Sequence, residues 1–284
     1  MPRVLDMNGL RVTVEEPPEA LHPPILMVPG MFAGAWMFER YQRYFAERGY
    51  PCYAVDLRGR PGSRPVGDIG QVSVRDYVED GVSVARALGR PVVMGHSMGG
   101  LIAQKIAEAD AAMALVLLCA APPRGISPFG GPLVRHLLPY LGDILRSRPL
   151  FPTRADADAV IFSHTPRAQA DEEYPRLLPE SGRAARELSL GAVAVDARRV
   201  RCPVLSVGAA EDRFVAPRVA RALARKYGAS LLEFARHGHQ LITEPGWEEP
   251  AAAIERWLVQ AIHTAEHPQL RDTLVGVAAA KRGA

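Results

Sequence analysis

The chain has 284 residues, which is enough for one large domain or for a core with an inserted subdomain. Hydrophobic residues make up 48% and charged residues 23%, proportions that are typical of a globular domain and exclude a disordered chain. The net charge of +3 is spread along the sequence. We therefore interpret the arginines as side chains on solvated faces of the protein and expect no nucleic-acid partner.

The cysteines and the apolar runs indicate where the protein resides. Cys52, Cys119 and Cys202 lie far apart, each in or beside an apolar run, which favours packed thiols over a disulfide framework or a metal site. The first residues lack the basic-then-apolar pattern of a signal peptide, and the longest apolar stretch, at 111–121, is too short to span a bilayer. We therefore expect a cytoplasmic protein with no membrane partner.

Strand and helix patterns alternate through the first part of the chain. Residues 4–15 alternate in polarity around Asn8-Gly9, which predicts an opening β-hairpin. The next predicted elements are a strand at 25–28, a helix through Trp36, Tyr41 and Phe45 ended by Gly49, a strand at 51–56, a helix from Ser73 (with Asp76 in its capping box) to Gly89, and strands at 91–94 and 114–118. Apolar strands that alternate with helices predict an α/β fold with a parallel sheet covered on both faces.

This regular alternation stops at Ala120 and resumes near residue 203. Residues 122–195 are proline-rich with interrupted helical stretches, and we interpret them as a helical insertion over the carboxyl ends of the strands; a surface elaboration elsewhere is the alternative. The later predictions are a strand at 203–208, a helix at 217–227, a strand at 231–234 and a helix at 247–262. The predicted organisation is a core of 1–121 and 196–263, an insertion of 122–195 and a frayed tail of 264–284.

The most specific motif is Gly95-His96-Ser97-Met98-Gly99, which lies between the apolar run 91–94 and a helical pattern from residue 100. A serine flanked by glycines between a strand and a helix is the nucleophile-elbow pattern. The glycines are needed because bulky side chains would collide where the strand and the helix cross. The turn also leaves the N–H of Met98 at a helix N-terminus, where negative charge is favoured.

A serine hydroxyl is a poor nucleophile unless a base accepts its proton and a third group orients that base. Asp212 follows the predicted strand 203–208, and His239 follows the last predicted strand. Glu211 is the alternative acid and His237 the alternative base. The order Ser97, Asp212, His239 is the order of an α/β-hydrolase triad.

With these motifs the chain resembles serine esterases of the α/β-hydrolase fold, close in pattern to small bacterial carboxylesterases, over roughly residues 10–262. The resemblance implies a mostly parallel central sheet flanked by helices, with the insertion as a helical lid. It implies Ser97 as nucleophile, His239 as general base and Asp212 as the residue that orients it. It further implies that the N–H groups of Met31 and Met98 form the oxyanion hole, and that neither a metal nor another cofactor is needed.

Two positions depart from the family pattern. The third predicted strand ends in Pro29-Gly30, where His-Gly is common. The family turn Asp-x-Arg-Gly-His-Gly appears here as Asp56-Leu57-Arg58-Gly59-Arg60-Pro61-Gly62, with an arginine in the place of the histidine. The oxyanion donor after Gly30 is a backbone group, so neither change removes the predicted chemistry.

The residues around the motifs predict an apolar substrate pocket. Its candidate lining residues are Phe32, Trp36, His96, Leu133 and Leu137, with Phe129, Leu138, Phe151 and Phe162 as further residues of the insertion. The expected partner is a small carboxylic ester with a hydrophobic acyl or aryl group. Thioester or lactone hydrolysis uses the same triad, and a slow-turnover ligand receptor of the same fold is the alternative of another class; the oligomeric state is left open.

Overall fold

A computed structural model describes residues 3–127 and 130–266 and contains one eight-stranded sheet and a separate two-stranded pair. The strands are β1 (Arg3–Met7), β2 (Leu10–Glu15), β3 (Ile25–Val28), β4 (Cys52–Val55), β5 (Val92–His96), β6 (Ala114–Leu118), β7 (Pro149–Leu150), β8 (Glu180–Ser181), β9 (Val204–Ala209) and β10 (Ser230–Phe234). The order in the large sheet is β1-β2-β4-β3-β5-β6-β9-β10, and every pair from β4 onward is parallel. The predicted mostly parallel sheet is confirmed.

Helices cover both faces of this sheet. They are α1 (Glu39–Ala46), α2 (Val74–Ala87), α3 (Met98–Glu108), α4 (Gly131–Leu137), α5 (Leu141–Leu145), α6 (Arg154–Asp156), α7 (Arg167–Glu173), α8 (Gly182–Ser189), α9 (Arg218–Tyr227) and α10 (Glu248–Glu266). Alternate residues of β3 separate to the two faces: Leu26 and Val28 pack with α2, α3 and α9, whereas Ile25 and Met27 pack with α1 and α10. The period of two along a strand therefore explains why the central strands are apolar throughout.

Local sequence signals fix several element ends as predicted. Asn8 and Gly9 adopt positive φ angles of 60° and 79° in the turn between β1 and β2, as a tight hairpin requires. At the start of α2, the Ser73 hydroxyl accepts a hydrogen bond from the Asp76 N–H at 3.1 Å, and the Asp76 carboxylate accepts one from the Ser73 N–H at 2.8 Å. The reciprocal bonds satisfy two donors that the first turn leaves free.

Other elements differ from the sequence-based predictions. The predicted helix through Trp36 is a 3₁₀ turn at Ala35–Phe38, and α1 begins only at Glu39. The inserted segment (residues 122–195) contains α4 to α8, and it also contains the antiparallel pair β7 and β8, whose two-residue strands are too short for a periodicity signal. The last helix extends to Glu266, beyond the predicted end at 262, and the tail from 267 lies outside the described residues.

None of the helices in 3–127 and 130–266 combines the length and the apolar character that crossing a membrane requires.

Glycines allow the close crossing of β3, β5 and α3. A Cβ atom at Gly99 would lie 2.1 Å from the carbonyl oxygen of Val28, and one at Gly95 would lie 2.2 Å from the carbonyl oxygen of Gly99. Both contacts are with backbone atoms, which cannot rotate away as a side chain can. The motif glycines are therefore needed for packing, as the sequence predicted.

Gly99→Ala should lower the free energy of unfolding by about 3 kcal/mol, because the new methyl group forces α3 away from β3. Urea denaturation measures the change. Gly67→Ala is the matched control, since a Cβ at Gly67 meets no atom within 4 Å, and we expect its stability to stay within about 0.5 kcal/mol of the wild type. A Gly99→Ala protein as stable as this control would contradict the crossing argument.

Candidate active site

Ser97 occupies a strained turn between β5 and α3. Its φ of 54° and ψ of −121° are unusual for a residue with a side chain. Two hydrogen bonds to the end of β6 and the chain just after it hold the serine there: the Ser97 N–H donates to the Leu118 carbonyl at 3.0 Å, and the Ala121 N–H donates to the Ser97 carbonyl at 2.8 Å. The serine side chain is thereby fixed at the carboxyl end of the sheet, where sites of such folds form.

The structure brings Ser97, His239 and Asp212 together, although they lie far apart in sequence. His239 Nε2 is 3.0 Å from Ser97 Oγ, and His239 Nδ1 is 2.9 Å from Asp212 Oδ2. A carboxylate only accepts hydrogen bonds, so the histidine carries its proton on Nδ1 and presents the lone pair of Nε2 to the serine hydroxyl. This tautomer is the one in which the imidazole can accept a proton from the serine.

The Asp212 carboxylate is buried, and both of its oxygens have hydrogen-bond partners. Its Oδ1 accepts hydrogen bonds from the N–H groups of Phe214 and Val215, both at 2.8 Å, while Oδ2 faces His239. The bonds fix the carboxylate and compensate for its removal from water. The ring of Phe214 then stacks on that of His239, with centroids 4.8 Å apart. The position of the imidazole is therefore restrained by hydrogen bonding and by packing.

The structure does not bring the alternative acid and base to the serine. The Glu211 carboxylate is half exposed and lies 2.8 Å from His164. His237 lies 4.0 Å from Glu244, and burial lowers its pKa. Glu211 and Asp212 are adjacent, and His237 and His239 are two residues apart, so spacing along the chain alone does not say which side chain points toward the serine.

Glu244, five residues after His239, holds the histidine loop. Both of its carboxylate oxygens accept from the Gly238 N–H, at 3.1 and 3.0 Å, and burial raises the pKa of this carboxyl. His96 also holds the loop, because its Nε2 lies 2.8 Å from the His239 carbonyl and must donate to it. Burial, and then the neighbouring His239, lower the pKa of His96 to about 3, so His96 is neutral near pH 7 and serves to fix the His239 backbone.

The two predicted oxyanion donors, Met31 and Met98, both line the same cavity as Ser97. Met98 is the first residue of α3, and the first N–H groups of a helix have no acceptor within it. Met31 follows Gly30, whose Cβ would lie 2.8 Å from the Cβ of Ser97. A glycine at position 30 is therefore required for the Met31 segment to come close to the serine, and Pro29 before it does not prevent this approach.

The cavity beside Ser97 has a volume of about 90 Å³ and mostly apolar walls. Of the predicted lining residues, Phe32, Leu133 and Leu137 line it. His96 lines a second, smaller cavity beside Ser97 and His239. Lining residues that the sequence analysis missed come from the inserted segment and from the loop after β9: Tyr140, Leu150, Val160, Ile161, Ala185, Leu188, Phe214 and Val215. No local pattern marks them, because they meet only through the packing of the insertion onto the core.

The remaining pocket candidates lie elsewhere. Trp36 is outside the linings of both cavities, and the Arg176 guanidinium lies over its ring at 4.5 Å. Phe162 is buried among apolar residues of the inserted segment, whereas Leu138 and Phe151 are exposed. Phe129 lies outside the described residues.

One group among the described residues has the donors for a metal ion, namely Cys119, Asp212 and His239. Their chemistry does not fit one well. A metal would need the thiolate of Cys119, but burial and then the adjacent Asp212 raise the pKa of this thiol well above its usual value. It would also have to displace the hydrogen bond between Asp212 and His239.

Known proteins resemble this chain in fold. Among solved structures, a monoacylglycerol lipase from Paleococcus ferrophilus is 23% identical with a TM-score of 0.69, and the match covers 89% of this chain and 99% of that one. An esterase from Exiguobacterium antarcticum is 19% identical over 90% and 99% of the two chains, also with a TM-score of 0.69. The N-acyl homoserine lactonase AidH is 20% identical over 94% and 98%, with a TM-score of 0.67. At these identities the likeness is one of fold.

No curated protein matches the sequence. The model of the alpha/beta hydrolase family, in contrast, matches residues 25–256, which include every strand from β3 onward and the elbow at Ser97. Its match and the observed sheet agree with the predicted fold, and the chain belongs to the alpha/beta hydrolase family.

Proposed function

We propose that the protein is a serine hydrolase that cleaves carboxylic esters of hydrophobic acyl or aryl groups. The observation that carries this proposal is the line of contacts from Asp212 through His239 to Ser97 Oγ, which opens into an apolar cavity. A hydroxyl, an imidazole in the correct tautomer and a fixed carboxylate form the arrangement needed for acyl transfer through serine.

In the proposed reaction, Ser97 Oγ attacks the ester carbonyl carbon and transfers its proton to His239 Nε2. Asp212 stabilises the resulting imidazolium. The N–H groups of Met31 and Met98 donate to the oxyanion of the tetrahedral intermediate. His239 then gives the proton to the departing alcohol, leaving an acyl-enzyme on Ser97. Water, deprotonated by the same histidine, attacks the acyl carbon; the bond to Ser97 Oγ breaks, His239 returns the proton to Oγ, and the carboxylic acid leaves.

The cavity walls support an apolar acyl group. Leu133, Leu150, Val160 and Ile161 line the space beside Ser97 with apolar side chains, and a hydrocarbon chain gains free energy by leaving water for such a space. Thioesters and lactones present the same electrophilic carbonyl, so the same triad could hydrolyse them. A ligand receptor with the same triad would form an acyl-enzyme and release it very slowly.

Ser97→Ala should lower kcat for p-nitrophenyl butyrate by at least about 10³-fold, because no other group takes the place of the nucleophile. Burst and steady-state absorbance measure the acylation and turnover of the wild type. Ser83→Ala is the control, since the Ser83 hydroxyl accepts a hydrogen bond from the exposed Asn8 side chain at 2.7 Å and Ser83 is outside the cavity lining. Equal turnover by both variants would refute the proposal, and a stoichiometric burst without turnover in the wild type would favour the receptor.

Asp212→Asn should lower kcat by roughly 10³- to 10⁴-fold, because an amide can stabilise the wrong histidine tautomer and carries no charge to balance the imidazolium. Glu211→Gln is the matched control next to it and should stay within about twofold of the wild type, since Glu211 contacts His164 instead. Steady-state kinetics with p-nitrophenyl butyrate measure kcat of both variants. A larger loss in Glu211→Gln would assign the acid to residue 211.

Ala185→Leu should shift the preference toward short acyl chains, because Ala185 lines the cavity and three added carbons occupy space that a long chain needs. We expect the ratio of kcat/KM for octanoate over acetate esters to fall about tenfold. Ala222→Leu, on α9 and outside this lining, serves as the control. An unchanged ratio in Ala185→Leu would show that the acyl chain binds elsewhere.

A further inference from the structure

A buried ion pair joins the inserted segment to the core beside the cavity. Arg60 is 2% exposed and Glu180 is fully buried, and the guanidinium donates to Glu180 Oε2. The other carboxylate oxygen, Oε1, accepts from the Tyr77 hydroxyl at 2.6 Å and from the Ser181 N–H at 2.7 Å. Every charge is thus paired and hydrogen-bonded, as burial in an apolar surrounding requires.

The same carboxylate reaches the backbone next to the candidate oxyanion donor. Glu180 Oε2 accepts a hydrogen bond from the Phe32 N–H at 3.2 Å, and the Phe32 carbonyl accepts one from the Leu178 N–H at 2.7 Å. Phe32 has a φ of 62°, a conformation that a residue with a side chain adopts at an energetic cost. Both backbone polar groups of this strained residue are therefore held by the inserted segment.

Arg60 donates hydrogen bonds both to the core loop at Ala33 and to the inserted segment at Pro179. Its Nε donates to the Ala33 carbonyl at 3.1 Å, and a terminal nitrogen donates to the Pro179 carbonyl at 2.7 Å. A planar fork of donors can make these bonds and the bond to Glu180 at the same time, which the single ring of a histidine cannot. This gives a physical reason for arginine at the position where the family turn has histidine.

We propose that Arg60 and Glu180 are positioning residues that hold the loop 31–33 so that the Met31 N–H faces the oxyanion. The Glu180–Phe32 bond fixes the plane of the peptide that joins Met31 to Phe32, and the Arg60–Ala33 bond fixes the chain on its other side. The inference rests on the proposed acyl-transfer function, because only that reaction needs a donor at residue 31.

If Arg60 and Glu180 only joined the inserted segment to the core, their loss would affect the kinetics differently from the loss of positioning residues. Loss of a tie lowers stability, whereas loss of a transition-state donor lowers kcat and leaves KM nearly unchanged. Glu187 offers a matched control: its carboxylate also extends from the inserted segment to a core N–H, that of Val74 at 2.8 Å, but it does not touch residues 31–33.

The experiment compares Glu180→Gln, the double variant Arg60→Met with Glu180→Met, and Glu187→Gln. The double variant leaves no unpaired buried charge, so it should keep most of its thermal stability while the loop loses its hydrogen bonds. We measure Tm, kcat and KM with p-nitrophenyl butyrate, and hydrogen exchange of the Phe32 amide. Both Glu180 variants should show kcat lower by about 10- to 100-fold, KM within twofold and faster exchange at Phe32.

Glu187→Gln should keep kcat, KM and Phe32 exchange close to the wild type even where its Tm falls. Wild-type kcat in a folded double variant would overturn the inference, as would a loss of kcat in Glu187→Gln equal to that in Glu180→Gln. If the wild type lacks turnover that depends on Ser97, the proposed function fails by itself. Hydrogen exchange of the Phe32 amide then still tests whether Glu180 holds the loop 31–33. Unchanged exchange in the Glu180 variants would show that it does not.

Discussion

The close crossing of α3 over β3 and β5 is the constraint on which the rest of the site depends. The backbone atoms of Gly99 and Val28 come so near that no side chain fits between them, and Ser97 must adopt a positive φ to pass from strand to helix. This geometry raises the serine above the sheet edge and directs the first N–H groups of α3 toward the same space. The turn is maintained by the packing of α3 on the sheet and by the two hydrogen bonds that join Ser97 to Leu118 and Ala121.

Two buried carboxylates then organise the loops around this fixed serine. Asp212 accepts two backbone N–H bonds and orients His239, while Glu180 accepts from Phe32 and Arg60 and joins the inserted segment to the core. Burial of either carboxylate without these partners would cost free energy. Each carboxylate therefore favours the one arrangement of its loop that supplies them. The loop after β9 and the loop after β3 are thereby set against the same elbow.

The sequence predicted the fold well where local rules apply. Strand periodicity, the Asn8-Gly9 turn and the capping box at Ser73 are short-range signals, and the structure agrees with each of them. It predicted less of the inserted segment, where β7 and β8 pair only because distant residues meet. It also placed Trp36 in the pocket, whereas the Arg176 guanidinium of the inserted segment lies over the Trp36 ring.

The sequence by itself determined the order of the strands and helices of the core, the elbow around Ser97 and the residue types from which an acid and a base could be drawn, because these depend on spacing along the chain. Only the tertiary structure showed that Asp212, and not Glu211, contacts His239, that His239, and not His237, contacts Ser97, and that Arg60 pairs with Glu180. These choices depend on the direction of side chains and on contacts across 27 to 142 positions of sequence. Such contacts form only when the sheet and the insertion pack together.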